Sequence, residues 1–212
     1  ERGWSLVADA GIAVGQHTNV CLGKPCADPA LIPSMLNEND EFHSSRTFRD
    51  HFKRGEELID FDEACIEIRA QHDRFVEIVG REPDYFEAHA VMSKNLNRAI
   101  SAVAQELGLK EQKASFDPAA VVHCGDTDLR MVMRSMEPGY EPKEAIMQTV
   151  RGMVDGETVV FVCHPGYLDR FILENSSLTT DRTKEVDALI DPELRAWLES
   201  QSDLRLIDYR DL

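Results

Sequence analysis

IAVGQHTNV, residues 12–20, decides how this chain is read. The preceding segment, Glu1–Ala10, has the composition of a helix end closed by Gly11, and from Ile12 onward the spacing changes to period two. In that strand Gly15, His17 and Asn19 share one face, while Val14, Gln16, Thr18 and Val20 share the other. The same change recurs along the chain. Phe61, Cys65, Ile68, Phe75 and Val79 fall near one helical stripe that ends at Gly80. PDYFEAHAVM then opens at Pro83 as a short strand carrying Glu87 and His89, and NLNRAISAVAQELGL forms a second amphipathic helix ended by Gly108. PAAVVHCG reads as a strand, PKEAIMQTVRGMV as a helix and ETVVFVCHPG as a β-branched strand. RTKEVDALI and PELRAWLES read as helical, and LRLIDYRDL as a closing strand. This alternation predicts an α/β fold of parallel strands, a barrel or an open doubly wound sheet, in one domain over residues 1–212.

Composition narrows the function. The chain's 212 residues are enough to bury a substantial core. With 39 acidic against 23 basic residues the formal charge is −16, which repels phosphate backbones and anionic membrane surfaces, so neither nucleic acid nor membrane is expected as a partner. No GxGxxG or GxxxxGK[ST] run follows a strand, which removes the main support for a nucleotide-binding reading. Five cysteines, none in a CxxC pair, are expected as small buried apolar side chains in a reducing, cytoplasmic compartment. The loop from Leu22 to Ser45 is long enough to suggest a functional connection, and its aromatic Phe42 and Phe48 are expected either to stack on a ligand ring or to pack in the core.

Histidines mark the strand ends. His17, His89, His123 and His164 all fall there, whereas His43, His51 and His72 lie in contexts expected at the surface. In parallel β/α folds the carboxyl ends of strands gather at one mouth. Neutral imidazoles are common ligands of zinc-like ions, and two of them with a carboxylate around a water make an open catalytic site. Buried imidazoles bonded to backbone remain the alternative, because distant ligands leave no spacing signature. Cys163 and His164 are adjacent on a strand and point to opposite faces, so a thiolate–imidazole dyad is not expected.

Four stretches share a family pattern. VGQHTNVCLGKPCADPALIPSML (14–36), EIRAQHDRFVEIVGREPDYFEAH (67–89), VCHPGY (162–167) and RTKEVDAL with LIDYRDL (182–189, 206–212) occur in the order seen in the YdjC/ChbG-like carbohydrate deacetylases, which the chain resembles. The resemblance implies a TIM-barrel-like (β/α) barrel of the glycoside hydrolase/deacetylase type. It further implies a metal-dependent hydrolase that removes acetyl groups from N-acetylated sugars such as chito-oligosaccharides, using a divalent ion, Mg²⁺ or Zn²⁺. Carried over by position, His17 and His89 are the expected metal ligands and His164 the expected acid for the leaving amine. Asn19 and Tyr167 are candidate substrate contacts. Glu87, two residues before His89, is expected to hydrogen-bond a ligand histidine in preference to binding the ion. The expected partner is an acetylated amino-sugar oligosaccharide, and a homodimer is compatible with the family.

Two departures qualify the resemblance. The family's first strand carries a pair of aspartates, and no such stretch occurs here; a whole βα unit of roughly 30 residues is expected to be missing from the amino end. The second histidine of the family's HqH motif is Val91, and its aspartate is Glu87. A non-catalytic carbohydrate-binding or vestigial protein on the same fold is therefore the alternative.

Overall fold

The computed structural model describes residues 2–113 and 121–212. Glu1 and the first three residues of PAAVVHCG lie outside the described residues. The chain folds into two compact units, the second consisting mainly of Asp128–Leu206.

In the first unit, local signals set the two long helices. Helix α3 (Phe61–Val79) starts where the Asp60 carboxylate accepts the Asp62 and Glu63 amides, and it stops at Gly80, whose φ of 79° a residue with a Cβ resists. Helix α4 (Lys94–Leu107) is capped by the Ser93 hydroxyl, which accepts the Leu96 amide, and ends at left-handed Gly108. Ala64, Cys65 and Ile68 of α3 join Leu96, Ala99, Ile100, Val103 and Ala104 of α4 in one buried cluster. Each fully buried Leu, Ile or Phe contributes about 1.5–3 kcal/mol of transfer free energy. Two parallel strands, β1 (Gln16–Thr18) and β2 (Phe86–Ala88), lie against these helices, with Phe86 fully buried.

Strand register is fixed from several points. The Asp84 carboxylate accepts the Val14 amide at 2.7 Å, the Asp84 amide donates to Val14 O, Gln16 N donates to Tyr85 O and His89 N donates to Thr18 O. His17 therefore stands opposite Glu87. Gln16 and Thr18 face the core, leaving His17 on the open face. The expected loop after β1 contains two 3₁₀ turns (Pro29–Leu31, Pro33–Met35) and is anchored by buried Ile32, Met35 and Phe42. Phe42 and Phe48, the latter in a short helix α2 (Ser45–Lys53), are core residues. The short helix α1 (Arg2–Val7) and most of strand β3 (Val121–Cys124) also belong to this unit.

The second unit repeats the parallel motif. Strand β4 (Thr127–Val132) pairs in parallel with β5 (Val159–Phe161) through Arg130↔Val159. Helices α5 (Pro142–Arg151), α6 (Arg170–Asn175), α7 (Thr180–Leu189) and α8 (Pro192–Glu199) accompany them.

Several expectations change. The fold is mixed α/β, but the described strands form only small sheets of two and three strands, without an explicit closed barrel. LRLIDYRDL is not a strand: Asp208 turns the backbone by accepting the Arg210 amide and pairing with its guanidinium. His72 is buried at 7 % exposure, its Nε2 2.5 Å from Glu82 Oε2, because it lies one helical turn beyond Ile68 and two beyond Cys65 on the buried stripe. All five thiols are free; Cys65 and Cys124 are buried, Cys21 and Cys163 half-buried and Cys26 exposed. No helix among the described residues is long and apolar enough to cross a membrane.

Candidate functional site

The strand register brings His17, Glu87 and His89 together. Period two places Glu87 and His89 on one face of the β2 run, and parallel pairing sets His17 beside Glu87. Glu87 Oε1 lies 2.7 Å from His17 Nδ1, and His17 Nε2 lies 2.7 Å from His89 Nδ1. The imidazole rings meet edge to face, with centroids 4.7 Å apart and planes at 72°.

This chain of contacts constrains the protons. A carboxylate only accepts, so His17 carries hydrogen on Nδ1. If His17 is neutral, its Nε2 accepts from His89; if it is protonated, it donates to His89. Either way a single proton occupies the space between the two ring nitrogens. The side chain of His17 is 53 % exposed and that of Glu87 23 %, so the cluster opens to solvent on one side. Immediately after His89, Ala90 adopts φ 47°, a left-handed conformation costing an L-residue about 1 kcal/mol, before Val91 enters the core.

Fully buried Glu67 and half-buried Gln71 on α3 hold the segment that follows His17. Glu67 is fully buried and accepts the amides of Cys26 (3.0 Å) and Ala27 (2.9 Å) and the Gln71 side chain (2.8 Å). Gln71 in turn donates to Asn19 O at 2.6 Å and accepts the Asn19 amide at 3.1 Å. The Asn19 side chain is engaged locally: its amide donates to Leu22 O at 2.8 Å, and its oxygen accepts Cys21 N–H at 3.1 Å. Asn19 shapes the turn at the end of β1. Neither Glu67 nor Gln71 stands out in the sequence as a candidate, although both sit in the shared EIRAQ stretch, four residues apart on one helix face.

The HPG turn in the second unit is built differently. The His164 amide donates to Glu185 Oε2 at 2.6 Å, its carbonyl accepts from Arg182 Nη1 at 3.2 Å, and its Nδ1 lies 3.4 Å from Ser135 Oγ. Gly166 N–H donates to Arg182 O. Arg182 and Glu185, on α7, thus grip the turn from one helix. Glu185 is fully buried and also accepts the Tyr140 hydroxyl at 3.0 Å. Burial, with the Glu185 charge, pushes the Tyr140 hydroxyl well above its usual range and the Cys163 thiol up to about 11. A thiol held that high is a poor nucleophile near neutral pH. Tyr167 is 80 % exposed, and His123 stands exposed in β3. Ser135 and Glu185 do not stand out in the sequence, because their contacts to His164 span 29 and 21 residues.

Among the described residues, no group of three His, Cys, Asp or Glu side chains is arranged to hold a metal ion. Glu87 is turned toward His17 Nδ1, leaving two imidazole nitrogens facing one another.

Short parallel strands alternating with helices, and paired histidines on adjacent strands, place the chain among mixed α/β proteins with a polar cluster at strand ends. The chain matches the YdjC-like protein family model over residues 3–200 and belongs to that family. It is 27 % identical over 204 residues to carbohydrate deacetylase 2 of Listeria innocua, covering 95 % of this chain and 77 % of that protein. It is also 27 % identical over 215 residues to the chitooligosaccharide deacetylase of Serratia marcescens, covering 95 % and 79 %. A solved structure from Enterococcus faecalis, described as a cellobiose-phosphate cleavage protein, superposes with a TM-score of 0.79 at 22 % identity over 99 % of this chain and 81 % of that one, a likeness of fold.

Proposed function

We propose that this chain is a metal-dependent carbohydrate deacetylase that hydrolyses the acetamide of an N-acetylated, chito-oligosaccharide-like sugar, on a barrel-like β/α fold. The observation that carries the reading is the His17–His89 contact on adjacent parallel strands, backed by Glu87. Support comes from membership of the YdjC-like family and from relatives named carbohydrate and chitooligosaccharide deacetylases.

The proposed ion is divalent, Mg²⁺ or Zn²⁺, with His17 and His89 supplying two of its donors. Two neutral imidazoles from adjacent strands suit zinc, and nitrogens sharing one tetrahedral zinc ion stand about 3.4 Å apart, so the 2.7 Å pair needs only a small opening. When bound, such an ion polarises the acetyl carbonyl and lowers the pKa of a water. The protein groups then have separate tasks. His17 and His89 would present nitrogen lone pairs once the proton between them has moved to His89 Nε2 or, from a charged pair, to solvent. Glu87 keeps hydrogen on His17 Nδ1 and so keeps Nε2 available. His164, in the family's HPG motif, protonates the departing amine, its backbone fixed by Glu185 and Arg182. Tyr167, strongly exposed, is the proposed sugar contact beside it in sequence.

The test is acetate release from N,N′-diacetylchitobiose by chelator-treated protein to which Zn²⁺ or Mg²⁺ is restored. Activity that returns with the ion, and is lost in His17→Ala together with ion binding, supports the proposal; an ion bound without acetate release refutes the acetyl-sugar substrate. The lack of a third donor among the described residues favours a second reading, a non-catalytic carbohydrate-binding protein. That reading requires sugar binding with neither stoichiometric metal nor turnover.

A further inference from the structure

A tyrosine stack lies on the same strand face as the histidine cluster. Tyr85 precedes β2 and, by alternation, shares a face with Glu87 and His89; on β1 the matching positions are Gly15 and His17. A Cβ on Gly15 would collide with the Tyr85 ring, so the absent side chain is what lets this ring lie flat across β1. Against the Tyr85 ring lies Tyr209, 99 residues downstream of Lys110, with centroids 3.6 Å apart and planes at 14°.

The closing segment is fastened to the edge of β2. Phe86 N donates to Lys110 O at 2.9 Å and Gln112 N donates to Phe86 O at 2.8 Å, so Lys110–Gln112 pairs with β2 on the side away from β1. From that pairing segment Lys110 Nζ donates to the carbonyls of Tyr209 (3.1 Å) and Leu212, and Gln112 Oε1 accepts the Tyr209 hydroxyl. At the other end of the turn, Arg210 donates to Gly11 O at 2.5 Å. Burial, more than any neighbouring charge, raises the hydroxyl pKa of both tyrosines above the usual range, and it is alternation that sets Glu87 two residues from Tyr85 on the same strand face.

We propose that Tyr209 is a positioning residue: through the Tyr85 ring it fills the space beside Glu87 and keeps the Glu87–His17 hydrogen bond aligned, making residues 207–212 a working part of the histidine site. The inference rests on the functional reading above for its consequence in catalysis, but the alignment itself is independent of any ion. Replacing the ring by a smaller side chain opens room for water at the carboxylate. Water then competes for the carboxylate, and His17 loses the constraint that keeps hydrogen on Nδ1.

The experiment compares full-length wild type, Tyr209→Phe and Tyr209→Leu, each ion-free, by imidazole ¹⁵N–¹H correlation spectra, with kcat and KM for N,N′-diacetylchitobiose after Zn²⁺ is restored. Wild type and Tyr209→Phe, which keeps the ring, are expected to show His17 with hydrogen on Nδ1. Tyr209→Leu, folded by circular dichroism, is expected to shift His17 toward the Nε2–H form and to lose roughly 10-fold or more in kcat with KM within about twofold. A folded Tyr209→Leu with an unchanged His17 spectrum overturns the proposal, as does failure of Tyr209→Leu to fold while Tyr209→Phe folds, which assigns the ring to general stability. If wild type releases no acetate, the deacetylase reading fails, and the spectra still decide the positioning role.

Discussion

The histidines at 17 and 89 and the histidine at 164 occupy similar places in the sequence pattern, yet their surroundings are made in opposite ways. The first pair is aimed by strand pairing: the register sets His17 against Glu87, and side chain meets side chain. At His164 the protein holds the backbone, with α7 taking the amide through Glu185 and the carbonyl through Arg182. Strand pairing sets direction and leaves the cluster open to solvent; a helix gripping a turn fixes position and buries its own carboxylate. The comparison teaches that holding the orientation of a ring and holding the place of a turn require different residues, and that each kind fails differently when mutated.

The largest difference is expected from His17→Ala. On the proposed function, losing one of two nitrogen donors would take away several kcal/mol of transition-state stabilisation, about a 10³-fold loss in acetate release, with little change in the urea midpoint because the ring is half exposed. Glu185→Ala should invert that pattern. It leaves the buried Tyr140 hydroxyl and the half-buried His164 amide without this acceptor, and the expected cost is about 3 kcal/mol in urea unfolding. Glu67→Ala, which releases the Cys26 and Ala27 amides, is expected to cost a similar amount by the same measurement. If Glu185→Ala unfolds no more easily than wild type, the helix grip is not what holds the turn.

Glu87→Ala sharpens the first half of the comparison. Acetate release is expected to fall roughly 10–100-fold, with the unfolding midpoint nearly unchanged, because a partner that only orients a ring contributes little to folding. The smallest effect concerns Cys163. With its thiol raised to about 11 by burial and Glu185, only about 0.3 % is thiolate at pH 8.5, rising with pH toward that value. Iodoacetamide at pH 8.5, followed by peptide mass spectrometry, should label exposed Cys26 before Cys163, and Cys163→Ala should keep kcat within about twofold.

Helices are legible in the sequence because their signals are local. Asp60 and Gly80 bracket α3, and Ser93 and Gly108 bracket α4, each through contacts within four residues. Strands are easily overread: IAVGQHTNV yields three paired residues and LRLIDYRDL none, since period two describes faces without saying whether a partner strand exists. The histidine cluster follows from alternation and family pattern together. His72 misleads by its polarity, although its spacing from Cys65 and Ile68 already puts it on the buried stripe, and Glu185 escapes the sequence because a buried carboxylate accepting distant amides leaves no periodic trace.

Ala90 carries a consequence for anyone altering the protein. Replacing it with glycine would relieve about 1 kcal/mol of left-handed strain while giving the unfolded chain about 0.4–1 kcal/mol of extra freedom, two changes that nearly cancel. A thermal screen would score the two versions alike, even though the residue next in line to His89 would have become free to swing. Heat tolerance is thus blind to a change of backbone freedom directly beside the His89 ring.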